Sequence, residues 1–276
     1  MFKKLLIAFL IFAAPLNFAL AQENKEKIMT REEVCIENFH KLFNSEPFPK
    51  GNDEEMMEIL QKYIFGEIFT VGNLDMKQRE MITVVSLATM QTLPQLKGHM
   101  NAALNVGVTP VELKESIYLC APFIGFPKTL NALTVLNEVF KERQIKTPLE
   151  HQTTVKENER YQKGYEIQNP SYGDEIKTAL QGLPNNMGDE VARFLTEVCF
   201  GDFYTRSGLD IKTKEMLGLI ILIANNAPEA TIKSHIKGSM KAGNSKETIA
   251  SSIIQAMPYV GFPSAINSLK ILKGIN

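Results

Sequence analysis

The feature that most constrains this chain is an internal repeat. Residues 65–80 read FGEIFTVGNLDMKQRE and residues 200–215 read FGDFYTRSGLDIKTKE, agreeing at seven of sixteen positions at an offset of 135. Most of the other pairs are conservative, such as Glu67/Asp202 and Arg79/Lys214. One residue is then inserted. At an offset of 136, His99 meets His235, Gly107 meets Gly243, and the run Pro122 to Pro127 meets Pro258 to Pro263. A period this long exceeds that of a solenoid and marks a duplicated unit.

Each copy reads as helices. Asp75 and Asp210 stand just before apolar runs, where a carboxylate accepts the free N–H groups of a helix start. The first run spaces Met81, Val84, Val85 and Ala88 at helical intervals. The second, Met216 to Ala224, is apolar nearly all round. Its β-branched content alone would allow a strand, but its partner copy decides for a helix buried on most sides. A following helix runs from about Leu96 or Ile232 to a stop at Gly107 or Gly243. Thr109-Pro110-Val111-Glu112 is a capping box that opens the next helix, and Ser245 opens its counterpart. A last helix follows each Gly-Phe-Pro triplet, and helices over 30–43 and 159–181 begin the copies. No βαβ alternation occurs, so the expected fold is all-α.

The domain plan is a leader at 1–21, a first unit at 22–145, a polar linker at 146–158 and a second unit at 159–276. The leader has Lys3 and Lys4, an apolar run from Leu5 to Phe12, and Ala19-Leu20-Ala21 before an expected cleavage. That is the pattern of a secretory signal peptide, so the protein is expected to be exported to a periplasm or the extracellular space. The alternative, an uncleaved anchor, is disfavoured because a spanning helix needs ~20 apolar residues. Loss of two lysines takes the formal net charge from −1 to −3, which points to neither nucleic acid nor a membrane surface. The three cysteines, Cys35, Cys120 and Cys199, have no C-x-x-C or zinc spacing. One disulfide is possible in an oxidising compartment, while apolar neighbours favour buried thiols.

Few polar groups recur inside the apolar frame: Glu80/Glu215, His99/His235 and the Arg79/Lys214 charge. Two antiparallel helices would bring each Glu to its His. A buried carboxyl beside an imidazole is a proton-transfer pair, since burial and partner charge move both pKa values. The plain alternative is a Glu placed for the helix dipole and a structural His. No metal-ligand cluster is present, and His40 and His151 do not recur.

The run L-D-x-x-x-[RK]-E, then H-x-x-x-[AS]-[LM]-x-x-G, then P-[FY]-[IV]-G-F-P-x-x-[LI]-N-x-L resembles the carboxymuconolactone decarboxylase family, over about 60–140 and 195–273. The resemblance implies an all-helical, alkyl hydroperoxidase-like fold in two tandem units. It also implies a homo-oligomer, in which a double unit forms a trimer imitating a hexamer of single units. One branch of the family removes CO₂ from a carboxylated lactone without a cofactor. Another reduces hydroperoxides through a C-x-x-C pair with a Glu and His relay. Glu80, His99, Glu215 and His235 match the relay and are the expected catalytic residues, with Arg79 as a substrate anchor. The redox positions hold Thr92, Gln95, Pro228 and Thr231 instead of cysteine. A thiol mechanism needs a thiolate, so carboxy-lyase chemistry is favoured over peroxidase activity. The expected function is cofactor-independent proton transfer or decarboxylation on a small unsaturated organic acid or lactone. A non-catalytic binding or assembly protein on the same fold is the alternative.

Overall fold

The computed structural model describes residues 29–275, so the expected leader lies outside the described residues. Among those residues the fold is helical throughout, with no strand. The first copy comprises α1 (Arg31–Phe43), α2 (Glu54–Gln61), α3 (Met76–Met90), α4 (Leu93–Asn105), α5 (Pro110–Ile124) and α6 (Phe126–Glu142). The second comprises α7 (Arg160–Tyr172), α8 (Glu175–Ala179), α9 (Met187–Phe194), α10 (Ile211–Ala224), α11 (Glu229–Lys241), α12 (Lys246–Val260) and α13 (Phe262–Lys273).

The expected helix starts are formed by the expected residues. The Asp75 side chain accepts from the Gln78 N–H and Asp210 accepts from the Thr213 N–H. Thr109 closes its capping box with Glu112, and Ser245 accepts from the Thr248 N–H. Each such cap contributes ~1 kcal/mol by satisfying a helix-end donor. The central helices α3 and α10 are buried from Arg79 to Thr89 and from Lys214 to Ile223. Within those stretches no turn faces water, so neither has a polar stripe to display there.

The two copies share one apolar core. Met81, Val84 and Ile117 of the first belong to the same cluster as Ile220, Ile221 and Ile253 of the second. Helices α3 and α10 pack on each other, α5 lies against α10, and α12 lies against α3. The third large helix of each copy therefore covers the central helix of the other.

Two regions depart from the sequence reading. The helix expected over 159–181 breaks after Tyr172, because Gly173 adopts φ 54° and ψ −139°. Gln168 Nε2 donates to the Gly173 carbonyl and holds the break. The segments before the central helices, unassigned from sequence, are π-helical over Lys62–Glu67 and Leu195–Tyr204. Wide turns of this kind often sit at functional sites. Both segments press on the first helix of their copy. A Cβ at Gly66 would lie 2.1 Å from the Arg31 carbonyl oxygen, and one at Gly201 2.6 Å from that of Arg160.

Candidate functional site

In the first copy, α3 and α4 bring Glu80 and His99 together as their spacing implies. Glu80 Oε2 lies 2.9 Å from His99 Nδ1. The Glu80 side chain is wholly buried and its Oε1 has no hydrogen-bond partner. Aromatic rings close around the imidazole: Phe43 and Tyr259 meet it edge-on at 5.6 and 5.8 Å, and Phe65 stacks at 6.5 Å. Phe39 packs on Phe43 and Phe65 behind them. Tyr259 comes from α12, so the second copy supplies one wall.

The second copy separates the matched pair. The Tyr172 hydroxyl stands between them, donating to Glu215 Oε2 at 2.5 Å and lying 3.1 Å from His235 Nδ1. Tyr204 also hydrogen-bonds the Glu215 carboxyl. Phe123, from α5 of the first copy, meets the His235 ring at 5.8 Å. The exchange of walls is reciprocal: Tyr259 reaches the first site and Phe123 reaches the second.

A cavity of about 290 Å³ opens on this second site. His235, Tyr172, Tyr204, Thr231, Ser234 and Cys199 line it, with an apolar wall that includes Phe123, Leu195 and Phe200. Gln168 and Glu175 complete its polar edge. The matched contacts of Gly66 on Arg31 and of Gly201 on Arg160 set α1 against α7 at an offset of 129, which pairs Phe39 with Gln168 and Phe43 with Tyr172. The repeat itself pairs Ile64 with Cys199. The first copy has the bulkier or more apolar side chain at these positions.

Burial governs the titration of the second site. It pushes the Glu215 carboxyl up to about 7 against the lowering effect of the two tyrosine hydroxyls. It pulls the His235 imidazole down to about 4. The Tyr172 phenol is raised by burial and by Glu215. Neutral His235 beside a carboxyl poised near neutral pH is an arrangement suited to acid–base work. Cys199 is buried and pushed up to about 12, so its thiol is not a nucleophile at neutral pH. All three cysteines are buried and unpaired.

Arg79, the expected substrate anchor, is held by the protein's own acceptors. Its guanidinium donates to the carbonyls of Ile68 and Val71 and to Gln255 Oε1, and the residue is 3% exposed. Lys214 does the same work in the second copy, donating to the Tyr204 and Arg206 carbonyls. These buried cations satisfy carbonyls at the end of the preceding helical segment, where positive charge is favoured. That requirement is shared by both copies and accounts for the recurring charge at this position.

Three contributors were not identified from sequence. Tyr204 was visible as the partner of Phe69, but nothing marked the position. Tyr172 aligns with Phe43 only through the fold, because the offset there differs from the rest of the repeat. Gly238, the partner of Ala102, gives room: a Cβ there would sit 2.2 Å from the Tyr172 oxygen. Among the described residues no group of three or more His, Cys, Asp or Glu is placed to hold a metal.

Similarity to known proteins follows the repeat. A 4-carboxymuconolactone decarboxylase of Acinetobacter baylyi is 29% identical over 126 residues, which is 45% of this chain and 91% of that protein. A nitrosuccinic acid decarboxylase of Metarhizium robertsii is 26% identical over 129 residues, 45% of this chain and 87% of that protein. Each relative is thus about one unit long. A crystal structure from Burkholderia xenovorans, of a protein assigned as a gamma-carboxymuconolactone decarboxylase subunit, covers 87% of this chain and 95% of its own. It has a TM-score of 0.51 at 18% identity, a likeness of fold. The sequence profile of one family matches residues 54–138 and 189–274, most of both units. This chain, with its crossed helices and paired Glu and His, belongs to the carboxymuconolactone decarboxylase family, as two tandem units.

Proposed function

We propose that the second unit catalyses cofactor-independent proton transfer coupled to loss of CO₂ from a small unsaturated organic acid or lactone. The observation that carries this is the placing of His235 on the wall of a largely apolar cavity, with a buried carboxyl behind it. The cavity is near the lower end of the ~300–1,000 Å³ usual for small-molecule sites. The two named relatives are decarboxylases of small acids. No Lys or Arg is among the residues lining the cavity. A carboxylate drawn in would lose its hydration without gaining a counter-charge, which favours its departure as CO₂. The carbanion left behind needs a proton, and His235 is the group placed to deliver it. Glu215 holds the reserve proton.

In this reading the Glu80–His99 pair, walled in by Phe43, Phe65 and Tyr259, is the structural counterpart of the working site. Peroxide reduction is disfavoured because the cavity's thiol, Cys199, is held protonated and lacks a partner thiol. The test is CO₂ release from a panel of muconolactones and related small acids. Turnover should be lost in His235→Ala and Glu215→Gln. Turnover that both variants retain in full would exclude this site.

Assembly is proposed to be a trimer that imitates six single units. Its support is a pair of exposed apolar faces at matched positions: Met56 and Ile59 of α2 with Phe262 and Ile266 of α13, and Val191 and Phe194 of α9 with Phe126 and Leu130 of α6. A monomeric mass by light scattering at micromolar concentration would exclude it. Export through residues 1–21 is proposed on the leader pattern alone and is checked by the N-terminal sequence of the mature protein.

A further inference from the structure

We propose that Tyr172 is a proton-relaying residue: its hydroxyl passes protons between Glu215 Oε2 and His235 Nδ1, so that His235 changes tautomer rather than charge. The role rests on the reading of the second unit as a proton-transfer site, but its test does not.

The geometry supplies an unbroken line. The phenol oxygen is 2.5 Å from the carboxyl and 3.1 Å from the imidazole. Nδ1 is engaged there, and His235 Nε2 has no hydrogen-bond partner among the described residues, although the residue lines the cavity. Two arrangements satisfy every donor along this line. In the first, ionised Glu215 accepts from the Tyr172 hydroxyl, the phenol oxygen accepts from Nδ1–H, and Nε2 carries a lone pair. In the second, the Glu215 carboxylic acid donates to the phenol oxygen, the hydroxyl donates to Nδ1, and Nε2 carries the proton.

Moving between the arrangements balances without forming an ion on the ring. Nε2–H gives its proton to the substrate carbanion, completing a C–H bond. The Tyr172 O–H proton passes to Nδ1, and the Glu215 proton passes to the phenol oxygen. Three bonds to hydrogen break and three form, and the charge left behind rests on Glu215. To reset, a solvent proton, equal to the one released as CO₂ hydrates to bicarbonate, enters at Nε2; Nδ1–H passes its proton to the phenol oxygen and the phenol proton passes to Glu215, restoring the second arrangement. The alternative, a free-standing imidazolium, is opposed by the burial that depresses His235.

The site is built for this hydroxyl. Gly238 leaves the space that Ala102 fills in the first copy, where the residue opposite is Phe43. Tyrosine with glycine in one copy, and phenylalanine with alanine in the other, is a matched exchange of one oxygen for one carbon. Gly218 plays the same part for Tyr204, since a Cβ there would sit 3.1 Å from its hydroxyl. The titratable groups facing the relay are Tyr172 of α7, Glu175 at the start of α8, and Cys199 and Tyr204 of the π-helical segment. Cys199 and both phenols stay protonated near pH 7, which leaves Glu215 as the group that sets the switch.

The experiment is ¹⁵N NMR of histidine-labelled full-length protein, with His235 assigned through His235→Gln. Wild type should show the Nδ1–H tautomer above about pH 7 and the Nε2–H tautomer below it, with imidazolium only near pH 4. In Tyr172→Phe the tautomer change near pH 7 should vanish, and kcat on any turned-over acid should fall about 10-fold or more with KM little changed. Gly238→Ala, which displaces the hydroxyl while keeping the ring, should do the same. If Tyr172→Phe does not fold, Tyr172→Phe with Gly238→Ala rebuilds the first copy's pair and carries the same test. An imidazolium forming near neutral pH in wild type, or a tautomer change that survives loss of the hydroxyl, would overturn the relay. A tautomer change without turnover of any acid would leave the relay standing and remove the decarboxylase reading.

Discussion

The two sites of this chain descend from one pattern and have been driven to opposite ends. Around His99 the positions are Phe39, Phe43, Ile64, Phe69, Thr83 and Ala102. Around His235 they are Gln168, Tyr172, Cys199, Tyr204, Gly218 and Gly238. The first set is aromatic and filled, with the imidazole directly on the carboxyl at 2.9 Å. The second gains two hydroxyls, loses bulk and opens a cavity. The comparison teaches that the recurring Glu and His define a frame, while their neighbours decide whether that frame encloses a reaction or a core.

The largest test of this contrast is removal of each imidazole. His235→Ala should lower decarboxylation by ~10²–10⁴-fold, the usual weight of a general acid or base. His99→Ala should act on stability instead, costing roughly 1–3 kcal/mol because it leaves the buried Glu80 carboxyl with no partner. Initial rates and thermal midpoints read both; equal loss of rate in the two variants would break the contrast.

Rebuilding the first copy inside the second comes next. Cys199→Ile with Gln168→Phe should fill the cavity and weaken substrate or product binding by ~10-fold or more, about 1.4 kcal/mol. Calorimetric titration measures it, and unchanged affinity would place the ligand elsewhere.

The pH profile sharpens the comparison further. The donating form of the second site holds its proton on Glu215, so it is full below about 7 and depleted above. The rate should therefore level off below pH 7 and fall about tenfold per unit well above it. Any residual rate in Glu215→Gln should lack that limb. For stability the sign is the reverse of an ordinary carboxylate's. A folded pKa raised from 4.5 to about 7 gives stability that is full below 4.5 and lost as pH rises to 7.

The smallest effect concerns the matched cations. Arg79→Lys should cost ~1–2 kcal/mol, since a lysine can keep the two carbonyls, as Lys214 does, but loses the guanidinium's fork to Gln255. Burial lowers Lys214 from 10.5 to about 8, so the folded state sheds its proton first. Stability relative to Lys214→Met should then rise between pH 8 and 10.5. Denaturant unfolding across that range checks the direction.

Much of this was legible in the residues. The capped starts at Asp75, Thr109, Asp210 and Ser245 are local chemistry, since a side chain three residues away satisfies a helix-end donor. The Glu–His separation of 19 residues joined two helices by a tight turn, and the turn fixed the pairing of Glu80 with His99. The break at Gly173 was not legible, because a polar helix with an internal glycine reads much like one without. The role of Arg79 was also hidden. A recurring charge one residue before a relay carboxyl reads as an anchor, and its carbonyl partners are set by the fold.

The repeat by itself determined that the chain folds as two helical units and which polar residues they share, because helix periodicity and caps are written within a few residues of one another. Only the tertiary structure decided that α5 and α12 cross to the opposite unit and that Tyr172 comes between Glu215 and His235. It alone showed that aromatic rings crowd one pair and that a cavity opens beside the other. Those outcomes depend on contacts across 40 residues or more. There a single oxygen, or a missing Cβ at Gly238, sets which groups touch, and no local pattern records it.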